Sequence, residues 1–398
     1  MFIHSVSHAV PKTYFSQADC LHAFQQASCF HHLEPSSQKL LKHVLGRDNG
    51  IEQRHLCLER IEEAFEAKPD VLHQRFEENA PKLATQAALM ALDKAKLLPK
   101  QIDALLISTC TGYLCPGLTS YVADNLKIPA DHVLLDLVGH GCGAAVPNLR
   151  QAQALIDSQQ AKNVLSVCVE VCSAAFYLDD DPGVLISACL FGDAAGAAIS
   201  SATPPKDQRS VKTVTWCSQL KAHQRDALRF EQRKGMLRNI LSPETPFLAA
   251  TSAHEDFQKA LMKEKMDPSL VTAFVTHAGG RRVLDAITQS MNLLPSDLTI
   301  SRQLLAQYGN TSSPFVLMAL EENLKQARLW FNARHGDILT VISKDPRSKI
   351  ELGEKLVVQK IWHSIRELND ERANVYDVRL KRTRKSSIKN IKISKGTF

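Results

Sequence analysis

Short apolar runs alternate with longer amphipathic segments along roughly the first 345 residues of the chain. Apolar runs rich in β-branched residues are typical of strands buried on both faces. The strands predicted in this way are 102–109, 132–138, 163–171 and 270–277. Segments 80–97 and 148–161 carry apolar residues at helical spacing and predict helices next to these strands. The alternation predicts an α/β architecture with buried sheets.

Changes in composition divide the chain into three predicted parts. Segment 201–212 is polar and contains a pair of prolines, which predicts a connector. The halves on either side share the order helix, strand, glycine-rich turn and helix, and after about residue 345 the chain becomes charged and helix-like. The predicted domains are therefore 1–205, 206–345 and 346–398, the last being an atypical charged extension with a basic tail.

The composition is that of a globular protein, with 398 residues of which 44% are hydrophobic and 23% charged. Even the apolar stretch 183–199 is interrupted by Asp193, and a membrane-spanning helix needs about 18 uninterrupted apolar residues. The N-terminus lacks a basic start, an apolar block and a small-residue cleavage site, so we predict a cytoplasmic protein without a membrane span. Ten cysteines without regular spacing are expected to be thiols.

The net charge of +6 is concentrated at the C-terminus. Residues 378–398 hold eight lysines and arginines and no acidic residue, so the first 377 residues sum to −2. Aromatic residues do not interleave with these charges as they would in many nucleic-acid-binding segments. We therefore interpret the tail as a solvated end and predict no nucleic-acid partner.

The segment 132–155 is the most informative for chemistry, because a buried strand leads through Gly139-His140-Gly141-Cys142-Gly143 into a helix. A cysteine beside the first N–H groups of a helix is expected to have a lowered pKa and to act as a nucleophile. The glycines permit positive φ and close approach of a substrate. The alternative is a small apolar residue in a tight turn.

The same turn also fits a dinucleotide-binding fingerprint. Gly139, Gly141 and Ala144 match G-x-G-x-x-G/A after a strand, and Glu170 at the end of the next predicted strand could bind a ribose. These residues alone leave a nucleotide-dependent dehydrogenase open as a second hypothesis.

Two further turns carry candidate catalytic residues. His277 ends an apolar run and is followed by Ala-Gly-Gly and a predicted helix, where an imidazole could act as a general base. Asn310 lies in a small-residue turn that opens another apolar helix, where its amide could donate a hydrogen bond to an oxyanion. The alternatives are a structural histidine and a helix-capping asparagine.

Cys142, His277 and Asn310, each at the start of a turn before a helix, resemble the arrangement of the thiolase-like condensing enzymes. Among these the sequence is most similar to the chalcone synthase-like, type III polyketide synthase family, over about residues 3–335. Seven segments match in order, and they are AVPKTYFSQAD (9–19), GIEQRHL (50–56), STCTGYLCPGL (108–118), GHGCGAA (139–145), ACLFGDAAGAA (188–198), HAGG (277–280) and YGNTSSP (308–314). The resemblance implies a thiolase-like fold, with two similar α/β halves and buried mixed sheets in a layered αβαβα arrangement.

The resemblance also implies a reaction. Cys142 would accept an acyl group from an acyl-CoA thioester. His277 would hold Cys142 as a thiolate and, with Asn310, donate hydrogen bonds to the thioester oxygen of malonyl-CoA during decarboxylation. The resulting carbanion would attack the acyl-Cys142 thioester and extend the chain by two carbons. Acyl-CoA and malonyl-CoA are thus the implied substrates, with no metal or redox cofactor.

Further positions match the family one by one. Phe191 matches the gatekeeper between the CoA tunnel and the cavity, and its alternative role is core packing. Cavity-lining or neighbouring positions are matched by Cys110, Cys172, Ala175 and Ser312. Cys115 matches a residue that crosses the interface of a homodimer into the partner's pocket. Lys42 and Arg47 are the nearest basic candidates for CoA phosphates, or ordinary surface charges. The small Ala175 points to a fatty acyl starter.

Two departures from the family pattern stand out. The chain has His277-Ala278-Gly279-Gly280 where the family usually has His-Pro-Gly-Gly. After His335-Gly336-Asp337 it also lacks the Gly-Phe-Gly-Pro-Gly type loop of the family, although 337–343 could supply one strand. Because the C-terminus is altered, a further hypothesis is a catalytically inactive member of the family that serves only in protein interactions.

Two other enzyme classes remain as alternatives. A 3-oxoacyl-carrier-protein synthase III-like enzyme shares the triad and the GNTS turn, although HAGG favours the polyketide branch. In either branch an acyl carrier protein could replace CoA as the malonyl donor. A papain-like peptidase has the same Cys, His, Asn order, but the sequence around Cys142 does not match that family.

Overall fold

The structure is a computed structural model that describes residues 1–129, 131–205, 210–333, 376–380 and 391–395. The chain divides into two compact units, Met1–Ser343 and Lys344–Phe398. The predicted boundary after residue 205 falls inside the first unit and stays a prediction. Among the described residues, no helix combines the length and the apolar character needed to cross a membrane.

Helices and strands alternate through the first unit, as the hydrophobic pattern predicts. The described helices are α1 (Gln17–Gln26), α2 (Ser28–His31), α3 (Pro35–Gly46), α4 (Pro69–Ala95), α5 (Leu118–Leu126), α6 (Ala145–Asp157), α7 (Pro182–Leu190), α8 (Thr245–Glu264), α9 (Arg281–Ser290), α10 (Thr299–Tyr308) and α11 (Phe315–Ala333). The described strands are β1 (Phe2–Ala9), β2 (Tyr14–Ser16), β3 (Gln53–His55), β4 (Ala104–Thr109), β5 (Val133–Val138), β6 (Asn163–Glu170), β7 (Ala194–Ser201), β8 (Val211–Lys212), β9 (Leu228–Arg233), β10 (Met236–Leu241), β11 (Tyr376–Leu380) and β12 (Ile391–Lys395).

A six-stranded mixed sheet forms the centre of the first unit, in the order β5-β4-β6-β7-β1-β8. β4 pairs in parallel with β5 and β6, whereas β7 runs antiparallel to β6 and β1. The predicted strands 102–109, 132–138 and 163–171 correspond to β4, β5 and β6. Because β4 lies inside the sheet and is buried along its whole length, its apolar run is continuous rather than alternating.

Helices cover both faces of this sheet. Leu105 and Ile107 of β4 belong to a core that includes the alanine-rich face of α4. Ala104 and Leu106, which point to the opposite face, pack with α6. The predicted helices 80–97 and 148–161 correspond to α4 and α6, and the arrangement is the layered α/β class predicted from the pattern.

The fourth predicted strand, 270–277, is wrong. Residues 271–280 form no strand. Phe274 and Val275 pack instead in a cluster with apolar side chains of α9, α10 and α11. Burial therefore explains the apolar pattern without strand pairing. The predicted strand at 337–343 lies outside the described residues, as does the position of the missing glycine-rich loop, so the second buried sheet stays a prediction.

In the second unit, β11 and β12 pair antiparallel, with Val378 opposite Ile393 and Leu380 opposite Ile391. β11 ends a segment that the sequence predicts as helix-like, and this part of the prediction is wrong. Its apolar residues Tyr376, Val378 and Leu380 recur at every second position, which is the period of a strand.

Candidate active site

Cys142 lies on the turn between β5 and α6. A single 3-10 turn spans Gly141–Gly143, and α6 begins at Ala145. Gly139 and Gly141 have φ of 87° and 55°, so the predicted left-handed glycines are confirmed. A Cβ added at either glycine would meet no described atom within 4 Å. The turn therefore leaves room for a substrate next to the thiol.

Asn310 lies on the turn between α10 and α11, and backbone hydrogen bonds fix it to the end of α7. The Asn310 N–H donates to Leu190 O at 2.8 Å, and the Gly192 N–H donates to Asn310 O at 3.0 Å. Gly309, at φ +70°, brings the chain to this position. A Cβ at Gly309 would lie 2.7 Å from Leu190 O, so only glycine fits there.

The same turn contacts the Cys142 thiol. Ser312 Oγ donates to Cys142 Sγ at 3.2 Å. Ser312 adopts φ +58°, a conformation that costs a non-glycine residue about 1–2 kcal/mol. The Asn310 side chain helps to hold it, because Asn310 Oδ1 accepts from the Ser312 N–H at 2.9 Å. Strain that is retained and compensated in this way is typical of functional sites.

His277 also contacts this turn. Its ring meets the ring of Phe315 edge-on, with centroids 5.6 Å apart. Asn310 Nδ2 donates to Gly279 O at 3.2 Å, two residues after His277. The structure therefore places the turn at 309–315 in contact with Cys142, with the His277 ring and with the loop that follows His277. Cys142 and His277 thus both contact the turn that carries Asn310.

The charge state of the pair differs from the sequence-based expectation. Burial raises the pKa of Cys142 to about 11, although hydrogen bonds from Ser312 and from its own backbone N–H oppose this. The predicted lowering of this pKa is wrong, because burial outweighs the donors at the turn. Burial also lowers the pKa of His277 to about 4, and its Nδ1 has no hydrogen-bond partner among the described residues. Burial of both groups therefore favours the neutral thiol and the neutral imidazole.

Three predicted pocket residues line one cavity. Cys172 and Ala175 lie on a 3-10 turn after β6, and Phe191 lies at the C-terminal end of α7. The other residues lining this cavity are Thr111, Phe176, Tyr177, Val184, Ser187, Ala188, Phe230 and Asn239. The structure therefore brings together the side chains expected to hold the growing acyl chain.

Phe230 and Asn239 were missed by sequence reasoning. They lie on β9 and β10, which form a hairpin. Asn239 Nδ2 donates to Ser187 Oγ at 2.8 Å, which attaches the hairpin to α7. The Lys234-Gly235 turn between alternating apolar residues was the signal that could have predicted this hairpin.

Cys110 connects the thiol region to a buried carboxylate. Cys110 Sγ lies 3.6 Å from Ser312 Oγ, and it donates to Glu170 Oε1 at 3.3 Å. Glu170 also accepts hydrogen bonds from Thr111 Oγ1 and Ser313 Oγ. Burial raises the pKa of this carboxyl group. Because its oxygens are occupied and buried, Glu170 cannot bind a ribose as the dehydrogenase hypothesis requires.

Three other predicted residues lie at the surface. Cys115 is exposed on the loop before α5. Lys42 is exposed on α3, with its ammonium 5.6 Å from the centroid of the Phe30 ring, and Arg47 is exposed immediately after α3. Their predicted roles at a dimer interface and in CoA binding stay predictions.

Comparison with known sequences gives two family matches. Residues 6–228 match FAE1/type III polyketide synthase-like protein, and residues 240–339 match the C-terminal domain of chalcone and stilbene synthases. The 3,5-dihydroxyphenylacetyl-CoA synthase of Streptomyces toyocaensis is 25% identical over 356 residues, which is 87% of either chain. The phloroglucinol synthase of Pseudomonas fluorescens is 25% identical over 315 residues, 77% of this chain and 86% of the relative.

Solved structures show the same fold. The 1,3,6,8-tetrahydroxynaphthalene synthase of Streptomyces coelicolor, a bacterial type III polyketide synthase, superposes with a TM-score of 0.72 at 22% identity, covering 82% of this chain and 91% of that one. PKS-I from the brown alga Ectocarpus siliculosus gives a TM-score of 0.74 at 22% identity, covering 83% and 92%. The predicted thiolase-like fold class is confirmed.

Proposed function

The chain belongs to the type III polyketide synthase family, and we propose that Cys142, His277 and Asn310 carry out the reaction of that family. It is therefore an acyltransferase that extends an acyl starter by decarboxylative condensation with malonyl-CoA, rather than a dehydrogenase or a peptidase. The observation that supports these three residues most directly is the turn at 309–315, which contacts the Cys142 thiol and the His277 ring.

In the loading step, Cys142 Sγ attacks the carbonyl carbon of an acyl-CoA. Because Cys142 starts as a thiol, His277 removes its proton as the new carbon–sulfur bond forms. The bond to the CoA sulfur then breaks, and the CoA thiolate takes the proton back from the imidazolium. Both sides of this exchange are thioesters, so the acyl transfer is close to balanced in free energy. Ser312 assists because its hydroxyl stabilises the sulfur as negative charge develops.

In the extension step, malonyl-CoA loses CO2 and leaves an enolate whose charge lies on the thioester oxygen. Asn310 has two amide N–H donors, of which one is used by Gly279 O. The second donates to the enolate oxygen together with His277 Nε2–H, so both donors act where charge develops. The enolate carbon then attacks the acyl-Cys142 thioester, which releases the thiolate and lengthens the chain by two carbons.

The cavity lined by Cys172, Ala175 and Phe191 holds the acyl group in this proposal. Its substrates are CoA thioesters, with no metal or redox cofactor in the mechanism. The small side chain of Ala175 favours a fatty acyl starter. The cytoplasmic location and an acyl carrier protein as alternative malonyl donor stay predictions.

We also propose a homodimer. β5 is the end strand of the described sheet, and Val138 at its C-terminus is 54% exposed. The Thr119 N–H donates to Asp136 Oδ1 at 3.3 Å, which joins β5 to the helix that follows the exposed Cys115 loop. An unpaired strand edge beside an exposed cysteine matches a surface that a second copy would cover.

Two substitutions test the division of roles. Wild-type protein incubated with acyl-CoA should gain one acyl mass on Cys142, and Cys142→Ala should not. Cys142→Ala should stop chain extension but keep some malonyl-CoA decarboxylation, because enolate stabilisation is assigned to His277 and Asn310. Asn310→Ala should acquire the acyl group and decarboxylate malonyl-CoA at a strongly reduced but measurable rate. Equal loss of both activities in both variants would contradict the proposal, and malonyl-carrier-protein supplied in parallel identifies the donor.

A further inference from the structure

Arg54 is a buried cation next to the proposed site, with 1% of its surface exposed. Its guanidinium Nη1 donates to Ala188 O at 2.7 Å and to Phe191 O at 3.0 Å. Its Nη2 donates to Cys20 Sγ at 3.1 Å. All three acceptors are uncharged groups, although a buried charge is costly unless its surroundings compensate.

The end of α7 provides this compensation. The last carbonyl groups of a helix lack partners within the helix, and they carry the negative end of its dipole. Donors from elsewhere in the fold satisfy them one by one, since Gln17 Nε2 donates to Cys189 O and the Asn310 N–H donates to Leu190 O. Arg54 satisfies two of the remaining carbonyls and places its positive charge at the favourable end of the helix.

Arg54 and Asn310 therefore hold the same helix end. The aliphatic part of Arg54 also lies against the turn, because a Cβ at Gly309 would be 2.9 Å from Arg54 Cγ. Phe191 and Asn310 form an isolated parallel bridge between these two segments. The guanidinium thus fixes the Phe191 side of the bridge, and its stem supports the residue before Asn310.

We propose that Arg54 is a positioning residue that sets the Asn310 amide against the enolate oxygen and the Phe191 ring against the cavity. This inference rests on the proposed function of Asn310. Arg54 itself touches backbone and a thiol, not substrate. Its effect on decarboxylation should pass through Asn310, whereas its effect on starter choice should pass through Phe191.

Arg54→Lys tests the inference with the charge retained. A lysine ammonium lacks the planar fork that reaches two carbonyls and a sulfur at once. We expect kcat for malonyl-CoA decarboxylation without starter to fall about 10-fold or more, because a misplacement of about 1 Å can cost up to ~10²-fold. KM for malonyl-CoA should stay within about 2-fold. Thermal unfolding measured in parallel shows whether the variant is folded at the assay temperature.

A double-mutant cycle separates positioning from a general structural effect. In an Asn310→Ala background, Arg54→Lys should change decarboxylation by less than about 2-fold, because the group it positions is gone. Arg75→Lys is the matched control, since Arg75 is also buried and donates to the carbonyls of Ser173 and Glu63. Arg75→Lys should change the rate of decarboxylation by the same factor whether Asn310 is present or replaced by alanine.

A milder variant keeps the test decisive if Arg54→Lys does not fold. Cys20→Ala removes one acceptor and leaves both carbonyl contacts, so decarboxylation should fall about 2–3-fold, again only when Asn310 is present. An equal factor in both backgrounds, or no effect on kcat in folded protein, would overturn the role of Arg54. Unchanged decarboxylation in Asn310→Ala alone would instead overturn the proposed function, so the two failures can be told apart.

Discussion

The pH dependence of Cys142 alkylation should report a neutral thiol. With a pKa of about 11, roughly one Cys142 in a thousand is ionised at pH 8, compared with about a quarter of free cysteine, whose pKa is ~8.5. Because only the thiolate reacts, ionisation alone predicts that iodoacetamide modifies Cys142 roughly two hundred times more slowly than free cysteine. Between pH 7 and 10 the rate should rise about 10-fold per pH unit.

The assay follows the Cys142 peptide by mass spectrometry after timed exposure to iodoacetamide. Limited access to a partly buried thiol also slows the reaction, so the slope of the pH profile, not the absolute rate, is diagnostic. The exposed Cys115 in the same molecule is the internal reference, and Cys142→Ala confirms the peptide assignment. His277→Ala should leave the slope unchanged, because burial lowers the pKa of His277 to about 4 and the imidazole is already neutral.

A rate that reaches a plateau below pH 7 in the wild type, and loses that plateau in His277→Ala, would refute this reasoning. That result would show a preformed thiolate–imidazolium pair, as the resemblance to the family implies. Burial would then be offset by the mutual attraction of the two charges, and His277 would not need to remove a proton during acyl loading.

Three further predictions concern the cavity, the thiol and the stability of the fold. Ser312→Ala removes the O–H···S hydrogen bond to Cys142, and acyl loading measured by quenched-flow mass spectrometry should slow about 10-fold; an unchanged rate would exclude this role. Ala175→Leu narrows the cavity, so the ratio of kcat/KM for long over short acyl-CoA should fall at least about 10-fold, and a constant ratio would remove Ala175 from the acyl site. Although burial alone would raise the pKa of Glu321, hydrogen bonds from His8 and its lysine neighbours lower it to about 2. Its ionised form therefore stabilises the protein above about pH 4.5, and the contribution is lost as pH falls through 2. Glu321→Gln should lower the free energy of unfolding, measured in urea, by about 3 kcal/mol at pH 7 and by about half of that at pH 3. An equal loss at both pH values would contradict the lowered pKa of Glu321.

Local signals were sufficient to predict which turns bear the candidate residues. The glycines around Cys142 predict a left-handed turn after a strand, and the small residues around Asn310 predict the start of a helix. The pKa of Cys142 could not be predicted in the same way, because it depends on burial that the sequence does not reveal and on Ser312, 170 residues away. The position of Cys142 before a helix predicts a lowered pKa, whereas its burial in the folded protein raises the pKa.

The misassigned strand at 270–277 has a similar cause. An apolar run reports burial, and burial against helices gives the same pattern as burial in a sheet. Phe274 and Val275 are partly buried against helices, so the apolar run reflects packing in the core but not the hydrogen bonding of a strand. The β9–β10 hairpin was missed because its apolar positions are interrupted by charges, among them Arg238, which pairs with Asp179 and Glu231.

The bridge between Phe191 and Asn310 constrains how such a protein can diversify. Any mutation that shifts the backbone at Phe191 also shifts the Asn310 amide, which is assigned to enolate stabilisation. A change of starter obtained by moving this main chain would therefore lower kcat. Substitutions that change side chains around the cavity but leave the backbone in place can alter the choice of starter without moving the Asn310 amide. Directed evolution for a new starter should therefore first select substitutions that change side-chain volume. Insertions or deletions near Phe191 or Asn310 should be absent from the active variants.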